Sequence, residues 1–122
     1  MAITNQGKPS RMRSVYGHNT TTSLEVVYTC PANCVAEVTF IHLVNGATSG
    51  TTNVDVEWYV AADSYTSHFL HGKGLSHSDY ISFPDIDLIL QAGDKIQVQP
   101  SNSGSIHIDT ILTVTETFIP VG

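Results

Sequence analysis

Between Ile86 and Pro100 two alternating runs flank the four residues Gln91-Ala92-Gly93-Asp94. Ile86, Leu88 and Leu90 share one face of the first run. Ile96 and Val98 share one face of the second, with Lys95, Gln97 and Gln99 on the other. A period of two marks a half-buried strand. Gly93-Asp94 supplies a turn, because glycine tolerates the positive φ of tight connections. The pattern predicts a β-hairpin with one apolar face, which needs a second sheet to cover it.

The same alternation recurs along the chain. Leu24 to Thr29 predicts a strand that ends at the turn Cys30-Pro31-Ala32-Asn33-Cys34. Val35 to Val44 predicts a second, with Val38 and Phe40 facing one way and Ile41 and Leu43 the other. A strand that is apolar on both faces is either central or covered by a partner. In Asn53 to Ala61, Val54, Val56, Trp58 and Val60 alternate with Asp55, Glu57 and Tyr59, giving a core face and a wet acidic face. Weaker strand patterns at 65–71 and 78–83 surround Gly72-Lys73-Gly74, and Ser105 to Ile119 reads as a long final strand. About eight short strands separated by turn signals, with no helical pattern, predict an all-β chain. The expected fold is an antiparallel β-sandwich of jelly-roll type.

Residues 1–22 show no sustained periodicity and are expected to form an extended N-terminal arm, leaving 23–122 as a single sandwich domain. The 122 residues suit one domain that folds without a disulfide or metal staple. Charge separates the two parts. Lys8, Arg11 and Arg13 lie in the arm, whereas Lys73 and Lys95 are the only basic residues after it, against all eleven acidic ones. A net charge of −6 argues against nucleic-acid binding. The basic arm is either solvated or reaches an acidic surface on a neighbouring subunit. No apolar run approaches the roughly 20 residues of a membrane-spanning helix, and the polar N-terminus lacks the apolar core of a secretory signal. Assembly in the cytosol, away from membranes, is the expectation.

Candidate chemistry is sparse. Cys30 and Cys34 cannot make a zinc site alone, and free thiols are favoured over a disulfide in a reducing compartment. His68, His71 and His77 crowd one segment, but an offset of three places His68 and His71 on opposite faces of a regular strand, so no metal site and no cofactor are expected. A cupin-type metalloenzyme would show a His-x-His pair, which is missing. No nucleophile elbow, phosphate-binding glycine loop or calcium loop is present, and no catalytic residues are assigned. Trp58 is expected in the core. Tyr59, Tyr65 and Tyr80 are candidates for stacking on a sugar or a partner.

Val27-Tyr28-Thr29-Cys30-Pro31-Ala32-Asn33, the strand after it and its Asn-Gly loop, together with Leu88-Ile89-Leu90-Gln91-Ala92-Gly93-Asp94-Lys95-Ile96, resemble small jelly-roll virion proteins of tailed bacteriophages. The likeness spans roughly residues 23–118 and departs at Cys30 and Cys34. It implies a non-enzymatic particle component, often trimeric, on the capsid surface and assembled in the host cytoplasm. The implied role is a decoration or cement protein that clamps the major capsid protein. A tail, neck or fibre part that binds a host glycan is the alternative. On this resemblance Lys8, Arg11 and Arg13 would meet a neighbouring subunit, and Ile41 and Leu43 would form a trimer face.

Overall fold

The computed structural model describes residues 9–101 and 105–119. Nine strands form in chain order: β1 (Ser10–Asn19), β2 (Glu25–Thr29), β3 (Cys34–Asn45), β4 (Thr51–Val60), β5 (Tyr65–Ser76), β6 (Tyr80–Phe83), β7 (Leu88–Leu90), β8 (Lys95–Ser101) and β9 (Ile108–Phe118). Among the described residues a single 3-10 turn, Ala61–Asp63, interrupts them. One sheet runs β1-β9-β3-β6, with β7 also on β3, and the other runs β2-β8-β4-β5. β6 and β7 pair with successive parts of β3 and act as one interrupted strand. The antiparallel pairs are then nested: first with last, second with next to last, and so inward to β4 with β5. That nesting is a jelly roll, as the alternation predicts.

The core lies between the sheets. Val38, Ile41, Leu43, Val54, Val56, Leu90, Ile96, Val98, Ile108, Leu112 and Val114 are all fully buried there. Each such side chain contributes about 1.5–3 kcal/mol relative to exposure. Trp58 packs against this cluster from its margin, not at its centre.

Three expectations need correction. The first is the hairpin. β7 pairs with β3, while β8 pairs with β2 and β4, so the two runs lie in different sheets. The reason is where the loop's backbone groups go. Gly93 N donates to Cys30 O at 3.0 Å, and Cys30 N donates to Asp94 O at 2.9 Å. The loop is tied to the end of β2, and Gly93 at φ +88° lets it cross from one sheet to the other.

The second is the arm. Its described part, Ser10–Asn19, is β1, paired with β9 through ten consecutive positions. Residues 10–19 therefore belong to the sandwich, and a domain boundary at 22 does not fit. The sequence shows weak alternation there because β1 is an edge strand. Only Val15, Gly17 and Asn19 are even partly covered.

The third is the phase of β3. Val38 faces Val114, but Phe40 faces Thr113, so two steps on β3 oppose one on β9. A β-bulge of this kind shifts the alternation by one residue. Val38, Ile41 and Leu43 consequently all point inward, and Phe40, His42 and Val44 point outward.

Candidate functional site

The outer face of the β1-β9-β3-β6 sheet leaves several large apolar side chains open. Cross-strand register places Tyr16, Ile111, His42 and Ser82 in one row, and His18, Asp109, Val44 and Tyr80 in the next. Tyr16 is 79% exposed, Met12 71% and Tyr80 62%. Ile111, on the central strand β9, is exposed as well. Phe40 stacks on His42 with ring centroids 6.1 Å apart, and His42 tilts against Tyr80 at 5.4 Å. Four large apolar side chains exposed on one sheet face make it a candidate interaction surface. The ionisable pair at its end, His18 and Asp109, is hydrogen-bonded within the face.

Ile41 and Leu43, expected to form a partner face, are fully buried in the sandwich. The bulge at Thr39 inverts the parity on which that expectation rested, and their neighbours Phe40, His42 and Val44 occupy the outer face instead.

Arg11 and Arg13 are engaged within the chain. Both face inward from β1, toward the rim of the sandwich, where Glu116 of β9 is 3% exposed. Arg11 Nε donates to Glu116 Oε1 at 2.7 Å, Arg13 Nε stands 3.5 Å from Oε2, and the Tyr28 hydroxyl donates to Oε2. Burial works to raise the Glu116 carboxyl. The Tyr28 bond and the two guanidiniums outweigh it and hold the group below the usual carboxylate range. Burial, and then the bond to Glu116, push the Tyr28 phenol far above its ordinary value. Arg11 and Arg13, expected to meet a neighbouring subunit, are paired here with Glu116, because a buried carboxylate needs cations and donors. Lys8 lies outside the described residues.

Cys30 and Cys34 are unbonded. Cys30 is buried, and that burial pushes its thiol up to about 11. Cys34 lines a cavity of about 240 Å³ with Pro9, Pro31 and Phe118. Asp94, which sequence reasoning treats as a turn residue, is buried and accepts from Ala61 N at 2.9 Å, Gln91 N at 3.0 Å and Trp58 Nε1 at 3.3 Å. Asp85 and Asp87 lie on the β6–β7 connection. A side-chain hydrogen bond that protonated Glu37 donates to Asp87, with burial and like charge, raises the Glu37 carboxyl.

The histidines also depart from expectation. His68 and His71 do not point to opposite faces; their ring centroids are 4.6 Å apart. Successive partners of β4 along β5 run Val54 to Lys73, Val56 to Leu70 and Glu57 to His68. Each of the last two steps contains an extra residue on β5, and these bulges break the parity. Asp55, His68 and His71 each bring one ligand atom within 4.8 Å of the others, as do His18, His107 and Asp109 elsewhere. His77, expected beside them, is not part of this group. The signal that could have revealed it was Gly72 and Gly74, since glycine inside a strand often marks a bulge.

No family model matches the chain, and no curated protein matches it in sequence. Solved structures do share the fold. A chain of the acid-stable capsid of Helicobacter pylori bacteriophage KHP30 superposes with a TM-score of 0.56 at 15% identity, covering 94% of this chain and 96% of that one. A chain of the Bacillus endospore appendages, described as disulfide-linked pili, gives 0.53 at 11% identity, covering 98% and 97%. A chain from the capsid of cyanophage Pam1 gives 0.49 at 16% identity, covering 98% and 93%.

Proposed function

We propose that this chain is a non-enzymatic structural subunit of a virus particle, a capsid decoration protein that associates with copies of itself, as a trimer, and cements the major capsid protein. The observation that carries this reading is the open apolar face of the β1-β9-β3-β6 sheet, built from Met12, Tyr16, Phe40, Val44, Tyr80 and Ile111. Its occupant is a second copy of the chain. With a net charge of −6, copies repel through most of their surface and meet where charge is sparse. On this face the large apolar side chains are interspersed with Ser14, Thr113 and Ser82, and Asp109 is hydrogen-bonded to His18. The full-length match in fold to a phage capsid chain supports a place in the particle.

Light scattering with native mass spectrometry tests the self-association. The wild-type chain is expected to be trimeric, and the double variant Tyr16→Glu, Ile111→Glu monomeric. A wild-type monomer at tens of micromolar would overturn the assignment of this face. Immunogold microscopy of particles then tests location, with label expected over the head. Label confined to the tail would favour the second reading, a tail or fibre part with a glycan site. The observation favouring that reading is Tyr65, 62% exposed beside the turn at Asp63.

A further inference from the structure

We propose that Asp55, His68 and His71 form a binding site for a first-row divalent transition ion of the Zn²⁺ class, with Glu57 positioning the His68 ring. The site belongs to the outer face of the other sheet, where β4 meets the edge strand β5. It does not depend on the particle role proposed above.

Four observations carry it. The first is convergence. Two imidazoles and a carboxylate present ligand atoms within 4.8 Å of one another, and His71 Nδ1 lies 3.3 Å from Asp55 Oδ1. Ligands bound to a tetrahedral ion at about 2.0–2.1 Å sit roughly 3.3–3.4 Å from each other. The pair thus already has the spacing of neighbouring ligands. It is longer than the roughly 2.7–2.9 Å of a charge-assisted hydrogen bond.

The second is support around the ligands. Gly72 N donates to Asp55 Oδ1 at 2.6 Å and fixes the carboxylate. Glu57 Oε2 stands 3.4 Å from His68 Nε2, with the Glu57 side chain only 11% exposed. Ligating histidines commonly direct one ring nitrogen at a carboxylate, which sets the tautomer and the ring plane. Glu57 occupies that place.

The third is the backbone. The extra residue between His68 and Leu70 brings His68 and His71 to the same side, and Gly72 adopts φ +62° at the second irregularity, between Leu70 and Lys73. Bulges that re-aim side chains are common beside functional sites. The fourth is the contrast with His18, His107 and Asp109. There both imidazoles are hydrogen-bonded to the two oxygens of Asp109, at 2.5 and 3.2 Å, so the polar groups satisfy one another. The β4–β5 group has no such closure between Asp55 and His71.

Two imidazoles and one carboxylate suit zinc or its neighbours better than calcium or magnesium, which prefer oxygen. His71 is 74% exposed, so a fourth position is open to water.

The test uses the full chain stripped with a chelator and titrated calorimetrically with Zn²⁺, then with Co²⁺ as a spectroscopic probe. One equivalent is expected for the wild type, with a Co²⁺ spectrum of low coordination number. The double variant His68→Ala, His71→Ala is expected to lose that equivalent. Both positions are exposed, and far-UV circular dichroism checks that the fold is kept. Glu57→Gln should weaken binding roughly 10–100-fold while keeping the stoichiometry. The variant His18→Ala, His107→Ala should bind as the wild type does. No stoichiometric binding by the wild type, undiminished binding by the His68, His71 variant, or loss in the His18, His107 variant would each overturn the assignment.

Discussion

Replacing Asp94 by alanine should be among the most damaging single changes outside the apolar core. The carboxylate holds three elements together. It accepts from Gln91 N at 3.0 Å within the loop, from Ala61 N at 2.9 Å at the end of β4, and from Trp58 Nε1 at 3.3 Å. Its own main chain binds Cys30 at the end of β2. At 2% exposure little water can reach the groups left behind. A hydrogen bond to a charged group contributes about 1.5–3 kcal/mol. The two short bonds therefore give about 3–6 kcal/mol, allowing little for the long Trp58 contact. A domain of this size has roughly 5–15 kcal/mol in total. Such a loss shifts the thermal midpoint by roughly 10–30 °C at about 3–5 °C per kcal/mol. Urea unfolding followed by far-UV circular dichroism measures the difference without relying on Trp58. Asp94→Asn should fall between the two, because one oxygen remains while the amide nitrogen must face an N–H donor. A cost below about 1 kcal/mol for Asp94→Ala would refute the claim that these bonds organise the crossing between sheets.

The internal charge cluster makes a pH-dependent prediction. Glu116 is depressed in the folded state, so its stabilisation is present above the unfolded value of about 4.3 and is lost as pH falls through the lower folded value. Tyr28→Phe removes one donor and should cost about 1–3 kcal/mol at neutral pH, with the gap to wild type narrowing in acid. Leu43→Ala should cost about 2–5 kcal/mol by cavity formation, yet leave the association state of the remaining folded protein unchanged. Gly17→Ala should destabilise the packing of β1 on β2, since a Cβ there would lie 2.7 Å from a Val27 methyl; denaturant midpoints read this. In a thiol-labelling time course Cys34 should react well before Cys30, whose thiol is buried and pushed up to about 11; equal rates would contradict that order.

The sandwich was legible because most strands keep a strict alternation that only two facing sheets can satisfy. Val54 and Val56 on β4, Ile96 and Val98 on β8, and Leu112 and Val114 on β9 all lie where their pattern puts them. Two of the misses share one physical origin. Parity predicts facing only while the ladder is regular, and bulges at Thr39 and along β5 break it. The first moved the open face from Ile41 and Leu43 to Phe40, His42 and Val44. The second brought His68 and His71 together. The hairpin failed for another reason. Alternation says that β7 and β8 each have an apolar face, but not that they share a sheet. That choice rests on the buried contacts of Asp94 and Cys30, which are far apart in sequence. β1 was hidden because an edge strand covers little, so selection for apolar residues along it is weak.

The position of β9 has a consequence for how the chain is made. β9 lies between β1 and β3, and Arg11 meets Glu116 across 105 positions of sequence. Among the described strands the last to leave the ribosome is an inner strand of its sheet, and the first must wait for it. Until then β1 has no ladder to join, and one side of β3 stays unpaired. Such long-range pairing is slow, and unfinished sheet edges invite association with the wrong partner. Loss of β9 would therefore leave β1 without a neighbour in its sheet and one side of β3 unpaired, whereas loss of β5, at the margin of the other sheet, would leave its interior intact.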